Sequence, residues 1–458
     1  MGTNTEINEQ FSALAGAVRG PVFAPEAEGY DEERTGYQLL APHRPAVVVG
    51  ATGEEDVRAA VAFAAEHGMK VAVQASGHGL AGPLDGGVLI STGRMSGVRV
   101  DAEARTAWVE AGARWERVIE ASAPYGLAPL SGSLPSVGAV SYTLGGGVGL
   151  MARRYGFAAD HVNRIDLVTA DGELRQVTAD SDPDLFWGLR GGGGNFGVVT
   201  GMEIGLFPVA RVYGGGLYFD VEQVPDVLDA WRRWTRDVPE EMTSGVGMLV
   251  YPDLPMFPEP MRGRHVAHIQ ISYLGTAEDG ERLVAPLRAL GPLLKDSLHE
   301  VPFTESGAVF EDPDQPHPYR SDNRLVADLD PQALAALTKT AGPSAPAMCV
   351  VGLRHLGGAL ARTPRTGNAV GHRDAAYLVS VLSLVEPGAE RTVRDLHREA
   401  LAPFADGALG RSLNFSFGAI DQDQVRSAFA PEDHRRLTEL KERYDPELLF
   451  HCNHAVSA

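Results

Sequence analysis

The sequence predicts an α+β chain of two domains, and three observations predict it. From Ala46 onward, short strand-like and helix-like stretches alternate, the mark of β-α-β units. Near Val209 the texture changes to longer amphipathic helices and alternating strands. The length, 458 residues, exceeds what one hydrophobic core usually organises. The expected division is a first domain over 1–208, with its core from about residue 42, a second over 209–410, and a closing segment over 411–458.

Each element has its own signal. Ala46-Val47-Val48-Val49-Gly50 is a β-branched run and reads as a buried strand. Thr52 precedes Glu54, Glu55 and Asp56, which reads as an N-cap with acids in the first turn. The helix over 54–67 carries Val57, Ala60, Val61 and Ala64 at helical spacing and stops at Gly68. Strands follow over 70–74, 88–91 and 106–111, then a helix over 115–123 closed by Pro124 and Gly126. Asp171-Gly172 joins 164–170 to 173–179 as a two-residue hairpin. A short helix over 184–190 runs into four glycines, and 198–207 returns to a strand. In the second domain, 265–273 and 377–384 alternate as sheet strands. Helices are expected over 278–290 and 330–340, and a last one over 437–444 before Asp445-Pro446.

Composition narrows the function. Hydrophobic residues are 44% and charged residues 22%, so the chain folds. The net charge of −20 opposes binding to nucleic acid or to an anionic membrane surface. Two cysteines, Cys349 and Cys452, cannot build a disulfide framework or a Cys-rich metal site. Residues 1–9 are acidic with no apolar core, so no secretory signal is read and a cytoplasmic protein is expected. Glycine is the outlier, with 53 residues against an average near 7%.

Much of that glycine lies in segments suited to chemistry. Gln74-Ala75-Ser76-Gly77-His78-Gly79-Leu80-Ala81-Gly82 follows a strand, which frees backbone N–H groups to face an anion. It also holds one nucleophile, His78. Ser131-Gly132-Ser133-Leu134-Pro135-Ser136-Val137-Gly138 continues to Gly145-Gly146-Gly147-Val148-Gly149, where backbone can approach a flat or phosphorylated ligand. Gly192, Gly194 and Gly197 spell G-x-G-x-x-G, but a helix precedes them and a strand follows, the reverse of a dinucleotide fingerprint. At the end stands Tyr444-Asp445-Pro446-Glu447-Leu448-Leu449-Phe450-His451-Cys452-Asn453-His454. Its histidines lack an acidic partner at zincin spacing, so no metal is expected.

In this order, the four segments resemble the flavin-linked oxidases of the berberine-bridge-enzyme type, within the vanillyl-alcohol-oxidase superfamily. The resemblance runs from about Pro42 to Asn453. Asp184-Leu185-Phe186-Trp187-Gly188-Leu189-Arg190 and Leu353-Arg354-His355-Leu356-Gly357-Gly358-Ala359 are similar to family stretches, as is His372-Arg373-Asp374. It implies a PCMH-type FAD-binding domain of two α/β subdomains, and a substrate domain whose antiparallel sheet is covered by helices. It implies that the closing segment returns to the FAD domain. It implies FAD bound by Gln74, Ala75, Ser76, Gly77, His78 and Gly79, and by Leu134, Pro135, Ser136, Val137 and Gly138. Tyr142, Thr143, Gly145, Gly146, Gly147 and Gly149 belong to the same set, with Asn195, Gly197, Val198, Val199 and Asn453. His78 is the implied attachment to the flavin 8α-methyl.

Two departures carry meaning. Many members have a second flavin-linking Cys where this chain has Leu134, so the resemblance implies a single linkage, through His78. The usual Arg at the start of the first loop is Gln74. The implied reaction is hydride transfer from a small organic substrate, a secondary metabolite, alcohol or sugar, to flavin N5, with O₂ reduced to H₂O₂. Candidate bases are Tyr142, Tyr273 and His355, each equally readable as a packed strand or core residue. A flavin-dependent cyclase without net oxidation and a dehydrogenase with another electron acceptor are the alternatives. Either a monomer or a homodimer suits the composition.

Overall fold

The computed structural model describes residues 9–457. Residues 1–8, nearly all of the stretch read for a targeting signal, lie outside the described residues, as does residue 458.

A four-stranded sheet comes first: β1 (Val22–Phe23), β2 (Val47–Gly50), β3 (Val71–Gln74) and β4 (Val88–Ser91), in the order β1-β2-β4-β3. β2, β4 and β3 are parallel, as the β-α-β pattern requires, with Val47, Val88 and Val71 in register. The helix Glu54–Glu66 joins β2 to β3, and Val57, Ala60, Val61 and Ala64 are its fully buried stripe. Its N-cap is Gly53, not Thr52, and no side chain caps it. The reason is Asp56, whose carboxylate accepts from the Thr52 amide and hydroxyl and from the Arg19 and Gly20 amides. Thr52 is thus held as a donor.

A five-stranded antiparallel sheet follows: β5 (Val98–Asp101), β6 (Thr106–Glu110), β7 (Val162–Val168), β8 (Leu174–Val177) and β9 (Val198–Gly205), ordered β5-β6-β9-β7-β8. The β7–β8 hairpin turns at Asp171-Gly172, but its last bond runs from Thr169 N–H to the Glu173 carbonyl. The loop therefore has Ala170, Asp171 and a left-handed Gly172 at φ 77°, the three-residue class rather than the two-residue one. The excursion between β6 and β7 carries the helix Trp115–Ser122 and the long glycine segment.

The second domain is a nine-stranded antiparallel sheet. Its strands are β10 (Arg211–Asp220), β11 (Met242–Val250), β12 (His265–Tyr273), β13 (Leu293–Asp296), β14 (His299–Pro302), β15 (Tyr319–Val326), β16 (Val350–His355), β17 (Tyr377–Leu384) and β18 (Ala408–Gly410). The order is β13-β10-β12-β11-β16-β17-β15-β18, with β14 also on β10. Helices Val227–Trp234, Ala277–Arg288, Pro331–Thr340 and Glu390–Leu401 share one core with a single face of this sheet.

The chain then turns back. Residues 411–417 run beside β15, tied by Ser412 N–H to Asn323 Oδ1 and by Arg411 to Asp322. The helix Pro431–Tyr444 packs Leu437, Leu440 and Tyr444 with Leu185 and Phe186 of the helix Pro183–Leu189. Val71 of β3 donates to the Leu449 carbonyl at 2.9 Å and accepts from His451 N–H at 2.7 Å. No described helix is long and apolar enough to cross a membrane.

Candidate active site

The first loop leaves β3 at Gln74 and crosses residues 35–38 closely. Gly77 has φ 72°, and a Cβ there would lie 2.5 Å from Gly36 Cα. Tyr37 and Gln38 N–H groups bond the Ser76 and Gly77 carbonyls at 3.0 and 3.1 Å. Gln74 pins this crossing, its amide donating to the Arg34 carbonyl at 3.2 Å. The Gln74 side chain thus bonds neighbouring backbone.

His78 sits in a tight enclosure. Its ring stacks on Tyr37 at 3.9 Å between centroids and 13° between planes. Its carbonyl accepts from the Tyr319 hydroxyl at 2.5 Å. Nδ1 lies 2.8 Å from Ser76 Oγ, which also accepts from Gly138 N–H at 3.2 Å. Nε2 is buried with no partner. Burial, aided by the Arg114 charge, pulls the imidazole pKa down to about 4. His78 is therefore neutral near pH 7, with one nitrogen engaged and one free.

Ser76 links this loop to the second. There Ser136 donates to Asp314 at 2.6 Å, and the Val137 and Pro135 carbonyls accept from Trp115 and Glu116 N–H. The glycines are close approaches: a Cβ on Gly145 would lie 2.0 Å from Asn414 Oδ1, and one on Gly149 would lie 1.8 Å from the Ser131 carbonyl. Asn414 in turn donates to the Tyr142 carbonyl at 2.9 Å. The Tyr142 ring lies among Gly132, Gly147 and Gly149 and edge-on to Trp115. Its hydroxyl is buried without a partner, and burial raises its pKa, which keeps it protonated. Tyr142 is packed as a wall of the glycine segment, and the Arg354 charge opposes the effect of burial on its hydroxyl without outweighing it. Thr143 bonds its own helix, at the Ala139 carbonyl.

The other sequence-derived residues divide in two. Asn453 reaches the first loop and accepts from Ala81 N–H at 3.2 Å. Asn195 instead anchors the tail: it donates to the Gly192 and His454 carbonyls and accepts from Val456 N–H. Gly197 allows close packing on β7, where a Cβ would meet the Val168 carbonyl at 2.6 Å. Val198 lies in the core with Val49 and Ile90, and Val199 in the neighbouring core with Leu167.

In the second domain the candidates change. Tyr273 and His355 share the parity of Ile269, Ile271, Val351 and Leu353, the side-chain set packed under the helices. His355 is fixed there by Arg153, whose Nη1 donates to Nε2 at 2.8 Å, and burial draws its pKa down to about 3. Neither lines the cleft between the domains, and His355 is held on the helix-covered side by Arg153 of the first domain, so both are withdrawn as bases. That opposite face carries Thr243, His268, Gln270, Ser272 and Arg354. Pairing aligns Gln270, Gly245, Arg354, Leu378 and Leu325 in one row across five strands. Leu378 and Leu325 line a cleft with Gly145 and Gly147 of the first domain, and Phe415 completes it. The signal was present in 265–273, where polar residues at 268, 270 and 272 alternate with apolar ones.

Comparison with known proteins agrees with this arrangement. Residues 45–178 match the FAD binding domain family. The chain is 27% identical to (R)-6-hydroxynicotine oxidase of Paenarthrobacter nicotinovorans, over 96% of this chain and 97% of that one. It is 24% identical to chitooligosaccharide oxidase of Gibberella zeae, over 94% and 91%. Among solved structures, BBE-like 1 of Physcomitrella patens superposes with a TM-score of 0.83 at 20% identity, covering 98% of this chain and 99% of that one. Carbohydrate oxidase from Microdochium nivale gives 0.84 at 20% identity, with the same coverage. With a match to the FAD binding domain family over 45–178, the chain is similar along nearly its whole length to FAD-linked oxidoreductases and oxidases, and it shares the fold of a BBE-like protein.

Proposed function

We propose that this protein is an oxidase holding FAD by one covalent bond, to His78, and oxidising a small organic alcohol, sugar or secondary metabolite at the expense of O₂, with H₂O₂ as the second product. The observation that carries the reading is His78 itself: half-buried, neutral and left with one buried, unpartnered ring nitrogen at the end of a glycine loop. An orphaned buried nitrogen is costly unless something engages it. The residues fit the cofactor on a second count, because the glycine segments come so close to other parts of the chain, backbone at Gly77 and Gly149 and the Asn414 side chain at Gly145, that side chains there would clash. When bound, FAD supplies the hydride acceptor and the reaction with O₂.

The chain's own residues bind and orient. The 75–79 and 134–138 loops, joined through Ser76, would hold the cofactor's anionic part with backbone N–H groups. Tyr37 and Tyr319 fix the His78 ring and backbone. A second linkage has no nucleophile, because Leu134 stands where the resemblance implies a Cys in many members. Cys349 is buried in the second domain's core, and Cys452 lies in the tail against the Gly194 carbonyl. The polar face of the large sheet roofs the cleft and supplies the donors and acceptors that orient a substrate.

Acid precipitation of the purified holoprotein tests the linkage. Yellow colour and flavin fluorescence should stay with the polypeptide and be lost in His78→Ala. Colour released from the wild-type protein would overturn it. Oxygen uptake matched by peroxide during turnover tests the oxidase; product formed without oxygen consumption would instead indicate a cyclase.

A further inference from the structure

Arginine is used in two ways in this fold. Arg153, Arg190 and Arg411, all buried, are saturated: Arg153 donates to the Met242 carbonyl at 2.8 Å, Arg190 to Phe186 and Thr366, and Arg411 pairs with Asp322 at 2.9 Å. Arg354 is different. Its guanidinium lies over the Phe310 ring at 4.7 Å and the Phe415 ring at 4.9 Å, and it makes no hydrogen bond or ion pair among the described residues. Phe415 lines the cleft between the domains, as does Leu378, the cross-strand neighbour of Arg354. The carboxylate that acts on Arg354 through space, Asp312, forms no bridge with it.

Its surroundings lack partners too. Gln270, two strands away in the same row and 9% exposed, makes no side-chain hydrogen bond. Gly245 stands between them, and a Cβ there would lie 3.1 Å from Gln270 Oε1 and 3.9 Å from Arg354 Cγ. Ser272 and Thr243 hydroxyls and His268 Nε2, on the same face, are buried without partners. A half-buried cation flanked by two aromatic rings and an idle amide, in a chain of net charge −20, suits an anion with an apolar body.

We propose that Arg354, with Gln270 beside it, is the specificity determinant of the cleft and selects a substrate that bears a carboxylate. This rests on the oxidase reading and narrows its substrate class to carboxylate-bearing alcohols or amines. The planar guanidinium takes both carboxylate oxygens, Gln270 donates to one of them, and Phe310 and Phe415 cover the adjoining apolar part.

The test uses benzoate and its neutral isostere benzamide, titrated into the holoprotein by calorimetry and by change in the flavin spectrum. Benzoate should bind the wild type, and binding should weaken about ten- to a hundredfold in Arg354→Met, while benzamide is unaffected by the substitution. Arg354→Lys, which keeps the charge without the fork, should fall between, and Gln270→Leu should lose a smaller factor. These two variants carry the test if Arg354→Met loses its flavin. Benzoate binding no better than benzamide, or equally well to wild type and Arg354→Met, overturns the inference. So does an Arg354→Met protein whose flavin potential shifts while its benzoate affinity does not, which would assign the cation to the cofactor. Calorimetry does not need a flavin, so a wild-type protein without flavin counts against the oxidase reading and leaves the anion site to be judged by its own titration.

Discussion

The two faces of the nine-stranded sheet come from the same strands and differ by one residue of register. Under the helices, Ile269, Ile271, Val351, Leu353, Val379 and Val381 pack with Trp231, Leu334 and Leu396, and the unpartnered polar atoms of these strands on that side are ring nitrogens of His265 and His355. On the other face, Thr243, His268 and Ser272 keep polar atoms without partners, and Gln270 and Arg354 are equally idle. Stability alone would not arrange residues this way, since each orphaned polar group costs about 1–3 kcal/mol. The helix-covered face holds the domain together. The cleft face is held in readiness for a ligand and weakens the empty fold.

Neighbouring residues of one strand can break that contrast. Ile269→Ala removes a fully buried side chain and should cost about 2–5 kcal/mol in urea unfolding. Gln270→Leu, one position on, should change stability by less than about 0.5 kcal/mol or raise it. Equal losses at the two positions would show that the faces are alike.

Histidine protonation gives a smaller effect. Burial draws His355, under the helices, and His268, on the cleft face, down to about 3. Both stay neutral in the fold, while the unfolded chain takes up protons below about pH 6.5. Their contribution is whole above that pH and is lost as pH falls toward the folded values. Stability should therefore drop between pH 6.5 and pH 4. His355→Phe and His268→Phe should each flatten that slope, by up to about 1.4 kcal/mol per pH unit. Unfolding midpoints at several pH values measure it, and a slope left unchanged by either substitution would exclude that histidine.

Smallest of all is Tyr273→Phe. Its hydroxyl makes no hydrogen bond in the fold, and its ring belongs to the helix-covered core. The rate of flavin reduction should change by less than about twofold, against the 10²–10⁴-fold contribution of a working general base. A drop of a hundredfold would return Tyr273 to the active site.

Much of the fold was legible from local pattern. The alternation over 265–273 and 377–384 matches β12 and β17 end to end, because buried strands leave little choice of phase. What the pattern withheld was direction. Alternation says that residues 268 and 273 lie on opposite faces, but not which face meets the other domain. A phenol or imidazole looks catalytic wherever it stands, so Tyr273 and His355 drew attention and Gln270 and Arg354 did not. Distance in the chain hid the rest: Tyr319, 241 residues from His78, reaches its carbonyl from the second domain, and no local window connects the two. Thr52 shows the same limit at short range, since the donors gathered by Asp56 include the amides of Arg19 and Gly20.

The returning tail bears on how this protein comes into being. Val71 finds its backbone partners at Leu449 and His451, and Lys70 Nζ bonds the Leu448 carbonyl 378 residues away. Phe450 fills the same core as Val71 and Ile90. During synthesis, the strand that leads into the His78 loop therefore emerges early and waits for its edge to be covered until residues 449–451 have been made. Contacts this remote in sequence form slowly. A chain stopped short of residue 445 would carry the His78 loop on an unfinished sheet.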